Sequence, residues 1–433
     1  MFDLAVRNVR LVGAEGLWNI GISGGLIVAV ISAETAIDAK KVLNAEGRLA
    51  MPGLIDSHVH TRDPGYTHKE DFRSATMAAA NGGITTIMAM PNVNPPMTTP
   101  SAVYCAAQAA ERSVINIHLV GGLCAGFPRW SEDMARAGAI ALDVYDDLFA
   151  YGTRTWIQVF KMAKKGNLPL CFYLMDLGLE QDRKKEMTKR GCSELELFSN
   201  ATNGHTEAIS IARIFPLAAY FGIPVVLRMV STSDGIDMIR TMRRLYPEAQ
   251  VYVEVCVHYL FLTQEALEQQ GSTAHIHPPL RTQRDVEGLW SGIADGTVDY
   301  IASDHAPHAP GEKTAFLSTS ASGMVGLETM LPLLLDASKK GKLSLQDIQR
   351  LCCWRPAEIY GLSKHKGRIA EGMDADLTLV DPDEHWIVDY GKFYTRGAPG
   401  PFASWRLTGK PYATICSGAI IMKQGSLFLD GEE

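Results

Sequence analysis

Two histidines one residue apart, His58 and His60, close the apolar run Gly53-Leu54-Ile55-Asp56-Ser57-His58-Val59-His60. On a β-strand, residues i and i+2 face the same side. Both imidazoles therefore aim at one point, and a convergent His pair is the first half of a metal site. The plain alternative is two polar residues at a strand end. A lone His-x-His does not choose between them.

The elements around this run must position it. Over the first fifty residues, alternation and glycine punctuation predict short strands at 4–12, 18–23, 26–32 and 41–44. The same texture returns at 375–381 and 413–418. Between these flanks strands and helices alternate. Ile84–Ala89 leads to a helix over 101–111 and a strand over 114–120, and 224–228 leads to a helix over 234–245 and a strand over 251–255. That rhythm implies βα units and a parallel sheet. Repeated over the middle of the chain, it fits a closed barrel better than an open sheet. The expected class is α/β: a (β/α)8 TIM-like barrel at 53–364, with a small β-sandwich domain built from both termini, residues 1–52 and 365–433.

Composition narrows the function classes. At 433 residues, 46% hydrophobic and 21% charged, the chain suits a globular enzyme. A net charge of −7 without a basic block argues against nucleic acid or anionic membrane as partners. No apolar run is long enough to span a bilayer, and Met1-Phe2-Asp3-Leu4 shows no basic signal-peptide start. The eight cysteines are scattered without a Cys-x-x-Cys pair, and Cys352-Cys353 fall in a helical pattern. Reduced thiols and a cytoplasmic location are the simplest expectation.

Further motifs extend the His-x-His segment. Met51-Pro52-Gly53-Leu54-Ile55-Asp56 precedes it, and Thr61-Arg62-Asp63-Pro64-Gly65 follows. Then come His68-Lys69-Glu70-Asp71-Phe72, Gly82-Gly83-Ile84-Thr85-Thr86 and Met90-Pro91-Asn92-Val93-Asn94-Pro95-Pro96. Pro278-Pro279-Leu280-Arg281, Asp304-His305-Ala306-Pro307-His308, Gly326-Leu327-Glu328-Thr329 and Gly372-Met373-Asp374-Ala375-Asp376-Leu377 complete the series. Together they resemble the amidohydrolase superfamily, in its dihydroorotase, allantoinase and hydantoinase branch, with dihydroorotase nearest. The resemblance covers nearly the whole length. It implies two divalent metals, usually zinc, held by the His-x-His pair, a carboxylated Lys, two further His and an Asp on the last strand. It also implies hydrolysis of a cyclic amide, with that Asp shuttling a proton.

Residue by residue, His58, His60 and Asp304 match that ligand set, and three positions depart from it. Asp143 stands where the resemblance places the carboxylated Lys, Tyr173 where it places the next His, and Met229 where it places the third. Lys161 is a rival for the Lys, but too few residues separate it from Tyr173 for a strand, a helix and a return. His205 reads as the start of the helix between strands five and six, and His258 as structural. His277 stands where the resemblance expects Asn. On the substrate side, the resemblance gives Arg62, Asn92 and His308 as contacts for a ring carboxylate. A guanidinium fork matches that group. Equally, Arg62 could be a loop ion pair, and Asn92 a turn residue among prolines.

No carboxylated lysine is therefore expected, and Tyr and Met are poor substitutes for His on zinc. One divalent metal, zinc, on His58, His60 and Asp304 with Asp143 as an added carboxylate is one reading; a metal-free pocket with relic histidines is the other. The first function reading is an amidohydrolase of altered chemistry. It opens or closes the C–N bond of a cyclic amide, imide or ureide with a carboxylate (a pyrimidine-like substrate), with Asp304 as the proton carrier. The second is a non-catalytic dihydroorotase homologue serving as structural partner, for example of an aspartate transcarbamoylase. Full dihydroorotase activity with a rebuilt site ranks last. The resemblance also implies a homodimer or homotetramer.

Overall fold

The computed structural model describes residues 1–123, 131–144 and 153–428. Tyr145, the last residue of the strand expected to carry Asp143, lies outside them.

Five strands open the chain: β1 (Phe2–Leu11), β2 (Trp18–Ser23), β3 (Leu26–Ser32), β4 (Ala39–Asn44) and β5 (Leu49–Pro52). The strand expected at 41–44 starts two residues earlier, because its edge residues Ala39 and Lys41 pair with Phe2 and Leu4 of β1. Eight more strands follow: β6 (Leu54–Val59), β7 (Ile84–Ala89), β8 (Asn116–Leu123), β9 (Ala139–Val144), β10 (Leu170–Phe172), β11 (Val225–Leu227), β12 (Val251–Cys256) and β13 (Tyr300–Ala302). They form one parallel sheet in sequence order. It closes beyond β13, where Val59 bridges His305 and the His60 amide donates to the His305 carbonyl at 2.8 Å. The result is a (β/α)8 barrel. The strand expected at 114–120 runs from 116 to 123 instead. Thr86 to Ala89 of β7 pair with Asn116 to Leu119, so the register begins at Asn116.

β14 (Leu377–Ile387), β15 (Arg406–Cys416), β16 (Ala419–Lys423) and β17 (Ser426–Leu427) return to the first sheet, where β14 pairs antiparallel with β5. Leu4, Val6, Ile20, Ile22 and Ile27 bury against Leu377, Leu379 and Ile415, so one core is shared by the two ends of the chain. This is the sandwich. Cys352 and Cys353 lie in a π-helical turn, Arg350–Trp354, and both are buried.

The barrel floor is filled by side chains from successive strands. Ile55, Met88, Val120, Cys171, Val226 and Tyr300 pack with Tyr360 from the last helical segment. A packed interior leaves chemistry to the strand ends, where loops can approach. The motif Gly82-Gly83 serves the turn into β7. A Cβ on Gly82 would stand 2.1 Å from the Leu327 carbonyl oxygen, so only glycine allows this approach.

Glu328 ties the barrel to the 390s segment. Its carboxyl accepts from Asn81 Nδ2 at 2.7 Å and from the amides of Tyr394 and Thr395 at 3.0 and 3.3 Å. Burial, opposed by those donors, pushes its pKa from 4.5 up to about 8. The folded state therefore keeps a proton that the unfolded chain releases. This contribution is full below pH 4.5 and is lost as pH rises toward 8. Glu328→Gln is expected to flatten that fall, by up to a few kcal/mol. Urea midpoints across this range, parent against variant, check it; parallel curves would refute it.

Candidate active site

His58, His60, Asp143, Tyr173, Met229 and Asp304 stand at or just past the C-terminal ends of barrel strands. His58 is on β6, and His60 follows it by two, as strand alternation requires. Asp304 follows β13 with φ +46°, a left-handed conformation that turns the chain out of the sheet. His58 Nε2, His60 Nε2 and Asp304 Oδ1 converge. Asp304 Oδ1 is 3.4 Å from the first and 3.1 Å from the second, and all three residues are buried.

Hydrogen bonds on the far side of each ring decide what these atoms can do. His58 Nδ1 lies 2.8 Å from Glu254 Oε1, and His60 Nδ1 lies 2.6 Å from Asn92 Oδ1. Both partners are acceptors, so each Nδ1 carries the hydrogen, and in the neutral form of each ring the Nε2 lone pair turns inward. Two lone pairs and a carboxylate oxygen then face one another. Such a group needs a shared proton or a cation. Burial, with help from the Arg62 charge, lowers the His60 pKa to about 4. Burial also pulls His58 down, but Glu254 and Asp304 outweigh it and its pKa is raised. Burial pushes Asp304 up, yet His58 and His60 hold it well below the usual carboxylate range. His58, His60 and Asp304 also lie close enough together to share one ion, with ligand atoms all within 4.8 Å. The donor set, two imidazoles and one carboxylate with both imidazoles anchored from behind, fits a single zinc-like ion.

The other positions do not complete a second set. Asp143 pairs with Arg228. Its Oδ1 lies 3.2 Å from Arg228 Nε, and burial, only partly offset by Arg228, raises its pKa to about 6. Asp143 is thus an ion-pair partner here, and among the described residues no metal-type group includes it. Tyr173 sits one residue past β10 with its hydroxyl 3.3 Å from His58 Nε2, and burial drives its pKa up, so it is a donor. Met229 has φ +55° and buries its side chain in the apolar core.

At the mouth, Arg62 Nε donates to the Pro307 carbonyl at 3.0 Å. His308 is neutral, its pKa lowered to about 3 by burial and by Arg62 and Lys69. Its Nε2 donates to the Ser322 carbonyl at 2.9 Å and its Nδ1 accepts from Lys69 at 3.3 Å. Arg62 Nη2, 3.2 Å from that same Nε2, is then a close contact rather than a hydrogen bond. Lys313 donates to the Ser272 and Ala321 carbonyls at 3.1 and 3.0 Å, beside Arg62. Three cations thus lie around His308, one of them, Lys69, paired with Glu312 at 2.9 Å. Asn92 carries a role the sequence did not show, orienting His60. His277 packs near Phe198, with ring centroids 6.2 Å apart. His205 is an exposed residue in the first turn of the helix Gly204–Phe221.

Glu254, Arg228 and His258 were missed as members of this site. Glu254, Cys256 and His258 alternate as His58 and His60 do, and that alternation was the available signal. His258 lies with Cys256 and Asp304 in a second close group, and burial lowers its pKa to about 4.

The fold is a parallel barrel with His58, His60 and Asp304 gathered at the ends of its first and last strands, the place where barrel enzymes carry their sites and a donor set able to hold an ion. The family follows from comparison. The amidohydrolase family profile matches residues 49–152 and 179–421, and the chain belongs to that family. It is similar to a dihydroorotase of Acetivibrio thermocellus, 32% identical over 95% of this chain and 96% of that protein. A dihydroorotase of Syntrophotalea carbinolica is 34% identical over 94% and 95%. Among solved structures, an L-hydantoinase (dihydropyrimidinase) from Arthrobacter aurescens superposes with a TM-score of 0.94 at 27% identity, covering 99% of this chain and 98% of that one.

Proposed function

We propose that this amidohydrolase opens or closes the C–N bond of a cyclic amide, imide or ureide bearing a carboxylate, with at most one divalent ion. The convergence of His58 Nε2, His60 Nε2 and Asp304 Oδ1 carries the reading. The dihydroorotase and hydantoinase relatives support the substrate class. When bound, a divalent ion would supply Lewis acidity and lower the pKa of water. Asp304, ionised and at the centre of the group, accepts the proton of the attacking water. It then delivers that proton to the leaving nitrogen, so ring opening yields one carboxylate and an amine, amide or ureido group, from an amide, imide or ureide respectively. Glu254 and Asn92 keep both imidazoles turned inward. Arg62, Lys69 and Lys313 favour an anionic ring, the Arg62 fork suiting a carboxylate.

The non-catalytic reading, a structural partner, draws on Asp143, Tyr173 and Met229. A panel of six-membered cyclic ureides and five-membered hydantoins, with and without a ring carboxylate, separates the two. Turnover of a carboxylate-bearing member that vanishes in His60→Ala supports the enzyme. No turnover with zinc-loaded protein, in either direction, supports the partner.

A further inference from the structure

Directly beneath His58 lies a buried polar layer that the reaction does not use. Arg228, just past β11, is fully buried. Its Nε faces Asp143 Oδ1 at 3.2 Å, and its Nη1 faces Glu254 Oε2 at 3.4 Å and the Ser57 carbonyl at 3.3 Å. The Tyr300 hydroxyl donates to the same Glu254 oxygen at 2.8 Å and meets the Tyr360 hydroxyl at 2.9 Å. Glu254's other oxygen is the one that accepts from His58 Nδ1. A continuous chain thus runs Asp143, Arg228, Glu254, His58.

An ionised guanidinium removed from water is tolerated only when paired and hydrogen-bonded. Here two carboxylates, Asp143 on β9 and Glu254 on β12, share it from either side. One of them, Asp143, is thereby withdrawn from the cluster above. The other, Glu254, is held with one oxygen downward and one upward, which sets the ring of His58. We infer that Arg228 is a positioning residue. It fixes His58 through Glu254 and supplies, as protein charge, the cation that Asp143 pairs with, leaving a floor built for a one-ion site. This rests on the metal half of the functional reading above, so the test includes a readout that needs no metal.

Arg228→Met alone strands two buried carboxylates and can fail to fold. Arg228→Met/Asp143→Leu removes one cation and one carboxylate together and leaves the layer's net charge unchanged. The measurement is twofold: ¹⁵N NMR of the histidine rings in metal-free protein, and zinc affinity by chelator competition. The parent is expected to show one buried His58 signal with Nδ1 protonated, assigned by its absence in His58→Ala. The double variant is expected to fold, to lose that single signal to a tautomer mixture, and to bind zinc about 10–100-fold more weakly. An unchanged His58 signal in a folded double variant would overturn the inference, making Arg228 a filler of the barrel floor. Should the parent bind no zinc while the double variant still scrambles the His58 signal, the positioning role stands and the metal reading falls.

Discussion

Asp304→Asn is expected to abolish turnover, lowering kcat by ~10³-fold or more while the fold survives. Asp304 Oδ1 lies within reach of both His58 Nε2 and His60 Nε2. An amide at that place can neither take a proton from water nor return one to the leaving nitrogen. It also lacks the charge that favours a cation between the rings, so zinc affinity should fall with kcat. Circular dichroism, steady-state kinetics on the best substrate of the ureide panel and chelator competition, run on one preparation, check this. A variant retaining the parent's rate would remove Asp304 from the mechanism.

Arg228→Met is expected to cost about 3–5 kcal/mol of stability. The cost comes from leaving Asp143 and Glu254 as buried carboxylates without their shared cation. It is not the net worth of the ion pairs, which desolvation largely offsets. Adding Asp143→Leu should therefore recover most of the loss, because the charge most dependent on Arg228 is then gone. Urea unfolding of the parent, the single and the double variant forms the comparison. A single variant within about 1 kcal/mol of the parent would mean that water or a proton relieves these carboxylates.

Much of this architecture was legible in the residues. Period-two alternation placed β2, β3 and β7 at their observed bounds, and the alternation of strand and helix implied the closed barrel. His58 and His60 were readable because alternation alone puts them on one face. Asp304 was reached through the motif that contains it. Arg228 was not readable, for a physical reason: it is a single charge closing an apolar run, and the carboxylates that permit its burial are on other strands; Glu254 showed only as an alternating polar position, with its partners equally remote in sequence. Asp143 illustrates the same limit. Its type suggested a replacement metal carboxylate, whereas its fate was decided by a guanidinium two strands away in the sheet. Asn92 had two readings as a substrate contact or a turn residue, and the fold gave it a third, as the acceptor behind His60.

His58, His60 and Asp304, above their ion-paired floor, are proposed to hold one ion. Metal content of protein purified without chelator, measured by plasma mass spectrometry beside the His58→Ala/His60→Ala variant, tests it most directly. About one equivalent of zinc in the parent, lost in the variant, is the expected result. Two equivalents would contradict it, by requiring ligands that Asp143, Tyr173 and Met229 do not offer in this fold.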